Sequence, residues 1–320
     1  KFAWVRYILG GVMCGVGMTL AGGCVSRNLV RIGGGNLKSL VTLLIVAYFA
    51  FLMTKTRFFE VMFYNWLQPL SVDFSSLGLE SQDFGSFIYQ FIPLGNPGVI
   101  RLVLVVLAVM LCWYFIKRTR GFRGNGHNIV AGVVIGLAVV AGWYLTSGPT
   151  GMAWVEAAEW ADNPPVGVGA QSFTFVNPLG EYVSLALELE NASVLITVGM
   201  LAALGLLLGS SLDAIFRRQF KFTWFASFSD FVFNAIGGVL MGIGGVLALG
   251  CTIGQGITGM ATLAIGSVLT VAAIILSSAL TLKTQYYKLI YEEASVVAAL
   301  VTGMVDLKML PKSFRKLEAL

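Results

Sequence analysis

The sequence predicts an all-α polytopic membrane protein made of inverted pseudo-twofold repeats with broken, re-entrant helices. Three observations predict it. Of 320 residues, 57% are hydrophobic and only 12% are charged, against roughly 25% charged in an ordinary soluble domain. The run from Phe231 to Leu282 holds no Lys, Arg, Asp, Glu or His. One helical crossing takes about 20 apolar residues, so this run must cross, turn inside protein and cross back. Finally, a glycine-rich string ending in one cysteine occurs twice.

The elements follow in order. Uncharged or nearly uncharged spans are expected at Tyr7–Cys24, Leu37–Met53, Val99–Ile116, Asn128–Thr146, Ala192–Ser210, Phe231–Gly250 and Ala264–Leu282. Between them, segments 54–98 and 147–190 mix Pro, Gly and acidic residues with aromatics, as in "FFEVMFYNWLQPL". That composition reads as short helices lying on the membrane surface. "KRTRGFR" (117–123), "RRQFK" (217–221) and the basic tail after Lys283 fall on one face if the spans alternate. Basic loops collect in the cytoplasm, so the C-terminus is expected there. The two long outer segments then carry ten of the sixteen carboxylates. The loop 117–123 reads as a topology determinant, not a nucleic-acid patch.

Aligned without gaps, residues 10–24, "GGVMCGVGMTLAGGC", lie over residues 237–251, "GGVLMGIGGVLALGC", with nine of fifteen positions identical. Under the alternating orientation the first copy runs inward and the second outward. Inverted repeats of this kind mark transporters, with the site at the repeat interface. The chain is therefore expected to be one transmembrane transporter domain over 1–320. Its halves are approximately 1–116 and 128–282, followed by an amphipathic cytoplasmic tail, 283–320.

Close helix packing accounts for the glycines, but polar breaks follow both copies. Gly23 and Cys24 precede Ser26, Asn28 and Arg31; Gly250 and Cys251 precede Thr252, Gln255 and Thr258. Ser26 and Thr252 are expected to cap new helical pieces. A helix restarting inside the membrane aims free N–H groups and partial positive charge at a cavity, which suits an anion. Irregular backbone at that depth belongs where it lines protein or water. Apolar surroundings keep a thiol neutral, and a neutral S–H can donate weakly to a soft acceptor such as sulfur. The expected passenger is a sulfur-bearing anion moving past Cys24, Cys251, Gly23, Gly250, Ser26, Thr252, Gln255 and Asn28. Arg31 and Lys38 read first as anchors of the cytoplasmic boundary; they and Arg27 could also attract the anion to the pore mouth.

The remaining signals are bland. Cys14 and Cys112 read as small buried hydrophobes, and the scattered thiols do not form a disulfide framework. His127 is the only histidine, so a His-based metal site is not expected; no cofactor or catalytic residue is expected for the leading, transport reading. "GGGNLKS" (33–39) lacks the spacing of a phosphate loop, and "NAS" at 191–193 fits a glycosylation sequon. The spans themselves bring no Asp, Glu or His into the membrane for a proton relay, which favours channel-like facilitation.

"GGVMCGVGMTLAGGCVSRNLVRIGGGNLKSLV" and "DFVFNAIGGVLMGIGGVLALGCTIGQGITGMATLAIGSVL", with "RRQFKFTWFASFSD", resemble the signature segments of the YeeE/YedE family, bacterial inner-membrane transporters of thiosulfate and related sulfur compounds. They cover roughly a third of the chain. The resemblance implies an hourglass-like, pseudo-twofold helical fold in which thiosulfate passes along cysteines by S–H···S contacts. It implies Cys24 and Cys251 as two of the functional thiols and a small cytoplasmic sulfur carrier of the TusA type as partner. The family's third cysteine lies in an upstream hairpin, so the natural protein is expected to extend before Lys1 or to work without it. Sulfite, a selenium analogue or an organic sulfur anion stay open as substrates. Two other readings also stay open: a thiol-dependent membrane sulfurtransferase, and a non-transporting membrane scaffold.

Overall fold

The computed structural model describes residues 2–73, 82–91, 97–119, 121, 124–160, 169–187 and 196–318. The sequon at 191–193 and part of the basic loop 117–123 lie outside the described residues. The described chain is helical, and seven helices are long and apolar enough to cross a membrane: Trp4–Gly33, Leu37–Lys55, Gly98–Arg118, Gly126–Ser147, Val198–Phe216, Phe228–Leu247 and Ile265–Ile290. Each overlaps one of the seven expected spans, although several ends differ. The protein is a polytopic, all-α membrane protein.

The first span is two helices. α1 (Trp4–Leu20) stops where Gly22 turns left-handed at φ +70, and the Gly23 N–H reaches back to Met18 O at 2.7 Å. α2 (Val25–Gly33) restarts directly after it, and α3 (Leu37–Lys55) returns. The second glycine-rich copy behaves alike. α10 (Phe228–Leu247) stops where Leu249 turns left-handed at φ +58 and the Gly250 N–H reaches Gly245 O at 2.9 Å. A wide π-type turn over Gly254–Gly259 follows, then α11 (Ile265–Ile290). Such turns inside helices are frequent at functional sites.

Glycine sets the packing. A Cβ on Gly10 would stand 2.8 Å from Gly244 O, and one on Gly244 2.8 Å from Gly10 O. The same holds at Gly17 and Gly237, with 2.7 Å and 2.6 Å to each other's carbonyl oxygens. Only glycine lets two backbones approach this closely. Gly11 and Gly15 press on Thr270 and Ile274 of α11, while Gly238 and Gly242 press on Thr42 and Val46 of α3. Displaced by 227 residues in the glycine strings and 228 in their partners, these are the same contacts.

The helices that complete the bundle are α4 (Phe84–Phe91), α5 (Pro97–Arg118), α6 (Gly126–Ser147), α7 (Pro149–Glu159), α8 (Val176–Leu187), α9 (Val198–Phe216) and α12 (Val296–Asp306). Leu102, Val109 and Leu111 of α5, Val130 and Leu137 of α6, and Leu201 and Leu208 of α9 are exposed. They form the surface that meets lipid.

One segment departs from expectation. Residues 171–187 were expected on the membrane surface; they enter the core. Thr146 on α6 donates to Gln171 O at 2.5 Å, and Ser172 donates to Val139 O at 3.0 Å. The chain then runs extended to α8, which lies along α3 because Gly180 has no side chain: a Cβ there would stand 3.0 Å from Ala50 C. Val176 is fully buried against Gly245. α8 also carries Glu181 inside, 4% exposed and 3.3 Å from Lys55 Nζ. Among the described residues the spans contribute no buried acid of this kind, but the strap does. Removing one partner of such a pair leaves an uncompensated buried charge.

Candidate functional site

Cys24 and Cys251 stand at the two breaks. Cys24, not Ser26, is the residue that caps α2: its backbone is extended (φ −68, ψ 170), and its side chain makes no capping hydrogen bond. Ser26 is the second residue of α2, with its Oγ 3.1 Å from Cys24 Sγ, either atom being able to donate. Cys251 is 2% exposed and receives the Gly254 N–H at 3.5 Å. The amides of Phe175 and Ile253 also face its sulfur. Thr252 opens the helical stretch after Cys251, as Val25 does after Cys24, and its hydroxyl meets Met18 Sδ of α1 at 3.9 Å.

Cys14, read from the sequence as a small hydrophobe, is 2% exposed. Its backbone N lies against Gly244, and its thiol is within electrostatic reach of both Cys24 and Cys251. Three sulfurs therefore share one region. Cys112, expected to be a small buried hydrophobe, is instead exposed on lipid-facing α5.

The two amides expected to line the path are engaged otherwise. Asn28 is 1% exposed; its Nδ2 donates to Gly23 O (2.9 Å) and Cys24 O (3.2 Å), and its Oδ1 accepts from Ser39 on α3 at 2.8 Å. Gln255 is 6% exposed; its Nε2 donates to Ala248 O (2.6 Å), and its Oε1 accepts from Ser267 on α11 at 2.5 Å. Each amide ties the broken backbone beside one thiol to the helix that follows. Ser39 and Ser267 were missed in the sequence, where serine inside a span reads as filler. Gly259 leaves the space for the second tie, since a Cβ there would stand 2.2 Å from Ser267 Oγ.

The cations divide. Lys38 is held by Asp230 at 2.5 Å and stands 6.0 Å over the Phe225 ring. Among the described residues Arg27 and Arg31 make no ion pair. Arg27 is exposed on α2, and its side chain covers Gly23. Arg6, unremarked in the sequence, donates to Leu247 O (2.8 Å) and Val246 O (3.1 Å) at the end of α10, with its guanidinium 5.0 Å over Phe59. Because α1 begins at Trp4 rather than at the expected Tyr7, Arg6 falls in the first turn of the span, where a cation asks for a partner.

Two thiols at matched helix breaks inside a lipid-length bundle, Cys251 beside backbone donors and Cys24 beside the Ser26 hydroxyl, suit the passage of a soft anion. Residues 1–280 match the model of the sulphur-transport family. The chain belongs to the sulphur-transport family. Curated relatives in this family include a protein named thiosulfate transporter TsuA from Spirochaeta thermophila, 30% identical over 275 residues that cover 82% of this chain and 72% of that one. Another thiosulfate transporter TsuA, from Escherichia coli, is 26% identical over 275 residues, covering 80% and 67% respectively. A sulphur-transport protein with these relatives is a transporter of sulfur compounds rather than an enzyme.

Proposed function

We propose that this protein takes up thiosulfate across a bacterial inner membrane, passing the anion between Cys24 and Cys251. The observation that carries this reading is the placement of both thiols directly after matching helix breaks, near enough to interact. The names of the two relatives supply the substrate. The terminal sulfur of thiosulfate accepts from a neutral S–H, and backbone N–H groups at each restart meet its oxygens. A thiol binds weakly enough to release its passenger, which conduction requires. The two broken helices act as oppositely oriented copies, so one gate faces each side. With basic loops in the cytoplasm, the Cys24 gate faces inward and the C-terminus lies inside. Arg27 and Arg31 then bias the inner mouth toward anions, and a TusA-like carrier docks there.

Growth on thiosulfate as sole sulfur source, with uptake of labelled thiosulfate into proteoliposomes, tests the reading. Cys24→Ala and Cys251→Ala should each abolish uptake while the protein remains folded. Wild-type rates in both variants would end it.

A further inference from the structure

Among the described residues, three buried side-chain polar atoms have no hydrogen-bond partner: Thr174 Oγ1, Asn177 Oδ1 and Asn234 Oδ1. A buried hydroxyl left unpaired costs about 1–3 kcal/mol, and native interiors keep few of them. Thr174 is the one that stands at the functional site. It belongs to the strap that enters the core between α6 and α8, and its neighbours are all accounted for. The Phe173 carbonyl accepts from Thr258 at 3.1 Å, and the Phe175 amide faces the Cys251 sulfur. Between them the Thr174 side chain packs on Gly254. A Cβ on Gly254 would stand 3.0 Å from Thr174 Oγ1, and Gly254 itself donates its N–H to Cys251 Sγ at 3.5 Å. One residue therefore separates the orphan hydroxyl from the sulfur.

Donors converge at this point. The Gly254 N–H reaches the Cys251 sulfur at 3.5 Å, and the amides of Phe175 and Ile253 also face it; neighbouring backbone N–H groups in a tight turn, as at Ile253 and Gly254, suit an anion. Thr174 adds an O–H that can rotate toward whatever sits there. Gly254 keeps the approach open, as any side chain would cover the hydroxyl.

We infer that Thr174 is a substrate-binding residue whose hydroxyl donates to an oxygen of a sulfur oxyanion held beside Cys251. The inference rests on the transport reading and sharpens it: the thiol meets the sulfur end of the anion, and the strap recognises its oxygen end. Such a site favours a passenger with both a soft sulfur and at least one S–O oxygen, such as thiosulfate, over a sulfide that lacks the oxygen.

The test is thiosulfate uptake by full-length protein in proteoliposomes, with thermal stability in detergent measured alongside. Thr174→Val keeps the shape and removes the hydroxyl. It should raise KM about tenfold, the weight of a hydrogen bond to a charged partner. It should leave stability unchanged or higher, because an unpaired buried hydroxyl is gone. Thr174→Ser should keep KM within about twofold, since the hydroxyl remains. Thr174→Ala is the second variant should Val not fold, with the same rise in KM expected. An unchanged KM in the hydroxyl-free variants, or a loss of stability that matches the loss of affinity, would overturn the inference alone. Wild-type protein that carries no thiosulfate would sink the transport reading and this one with it.

Discussion

Replacing Gly244 by alanine should loosen the central helix pair, and the structure says by how much. The new methyl would stand 2.7 Å from Cys14 N and 2.8 Å from both Gly10 O and Met13 Cβ, where ordinary contact begins at 3.4 Å. Two of those atoms are backbone, so no side chain can swing away. α1 and α10 must part by about 0.7 Å, and a gap of that size forfeits roughly a quarter to a half of each dispersion contact along the seam. Overpacking of this kind costs about 1–3 kcal/mol. The damage reaches the site, because Gly244 O holds the Ala248 N–H at 2.8 Å just before the second break. Gly205→Ala and Gly209→Ala on α9 are the controls: a Cβ at either meets nothing within 4 Å. Alanine there should gain about 0.5–1 kcal/mol of helix propensity. Retention of folded protein after heating in detergent should fall for Gly244→Ala and hold or rise for the controls, and uptake should fall only in the first. Equal retention in all three would refute packing by close approach as the role of the repeated glycines.

Two further outcomes are expected. Ser39→Ala leaves Asn28 Oδ1 buried without its donor, at about 1–3 kcal/mol, so the backbone at Cys24 should loosen. In a chain whose other three cysteines are alanine, maleimide should then modify Cys24 faster than in Ser39→Thr, and equal rates would dismiss the tie. At the end of the chain, Asp306 joins α12 to α11. Its carboxyl is held below the usual range first by the Tyr287 hydroxyl at 2.7 Å and then by Lys283 and Arg315, against the opposing effect of burial. A carboxyl depressed in the folded state adds stability that is present above the ordinary aspartate value of about 3.9. That stability is lost as pH falls through the folded value. Hydrogen exchange across 296–306, corrected for intrinsic rates, should accelerate on acidification in wild type. In Asp306→Asn it should already be fast at neutral pH, and a wild-type acid response there would refute the assignment.

The spans were legible because lipid imposes length and polarity together: no other soluble or interfacial role accommodates the uncharged run from Phe231 to Leu282. The breaks were legible because Gly22, Gly23 and Gly250 interrupt apolar runs. The residues that stabilise those breaks were not. Ser39 and Ser267 lie 11 and 12 positions beyond the amides they serve, on the next helix, and no local period joins them. The same distance hid Lys38 from Asp230, 192 positions apart. The strap was misread for a different reason. Its mixed composition is that of a surface helix, and what draws it inward is space vacated elsewhere, at Gly245 and Gly254. A void is a property of the assembled bundle, so a single stretch of sequence does not carry it. Cys24 displaced Ser26 as cap because the left-handed turn at Gly22 closes two residues before the restart, which leaves Cys24 as the extended residue.

The two breaks are not equally relaxed. Where the first has Gly22, the second holds Leu249 at φ +58, a conformation that costs a side-chain-bearing residue about 1–2 kcal/mol. Such strain persists only where the surroundings over-determine it, and here they do. The last carbonyls of a helix lack partners within it; those of Val246 and Leu247 are taken by Arg6 and that of Ala248 by Gln255. Three consecutive carbonyls are thus fixed immediately before the leucine. The choice of a guanidinium matters beyond hydrogen bonding. A helix ends in partial negative charge, and the end of α10 lies a few residues from Cys251, where the proposed anion must pause. Left bare, those carbonyls would repel it. Arg6 offsets the partial charge of the helix end, its own charge directed at backbone on one side and at the Phe59 ring on the other. Among the described residues no cation hydrogen-bonds to the last carbonyls of the first break, where glycine takes the left-handed turn without strain and Asn28 reaches back to Gly23 and Cys24 from the helix beyond.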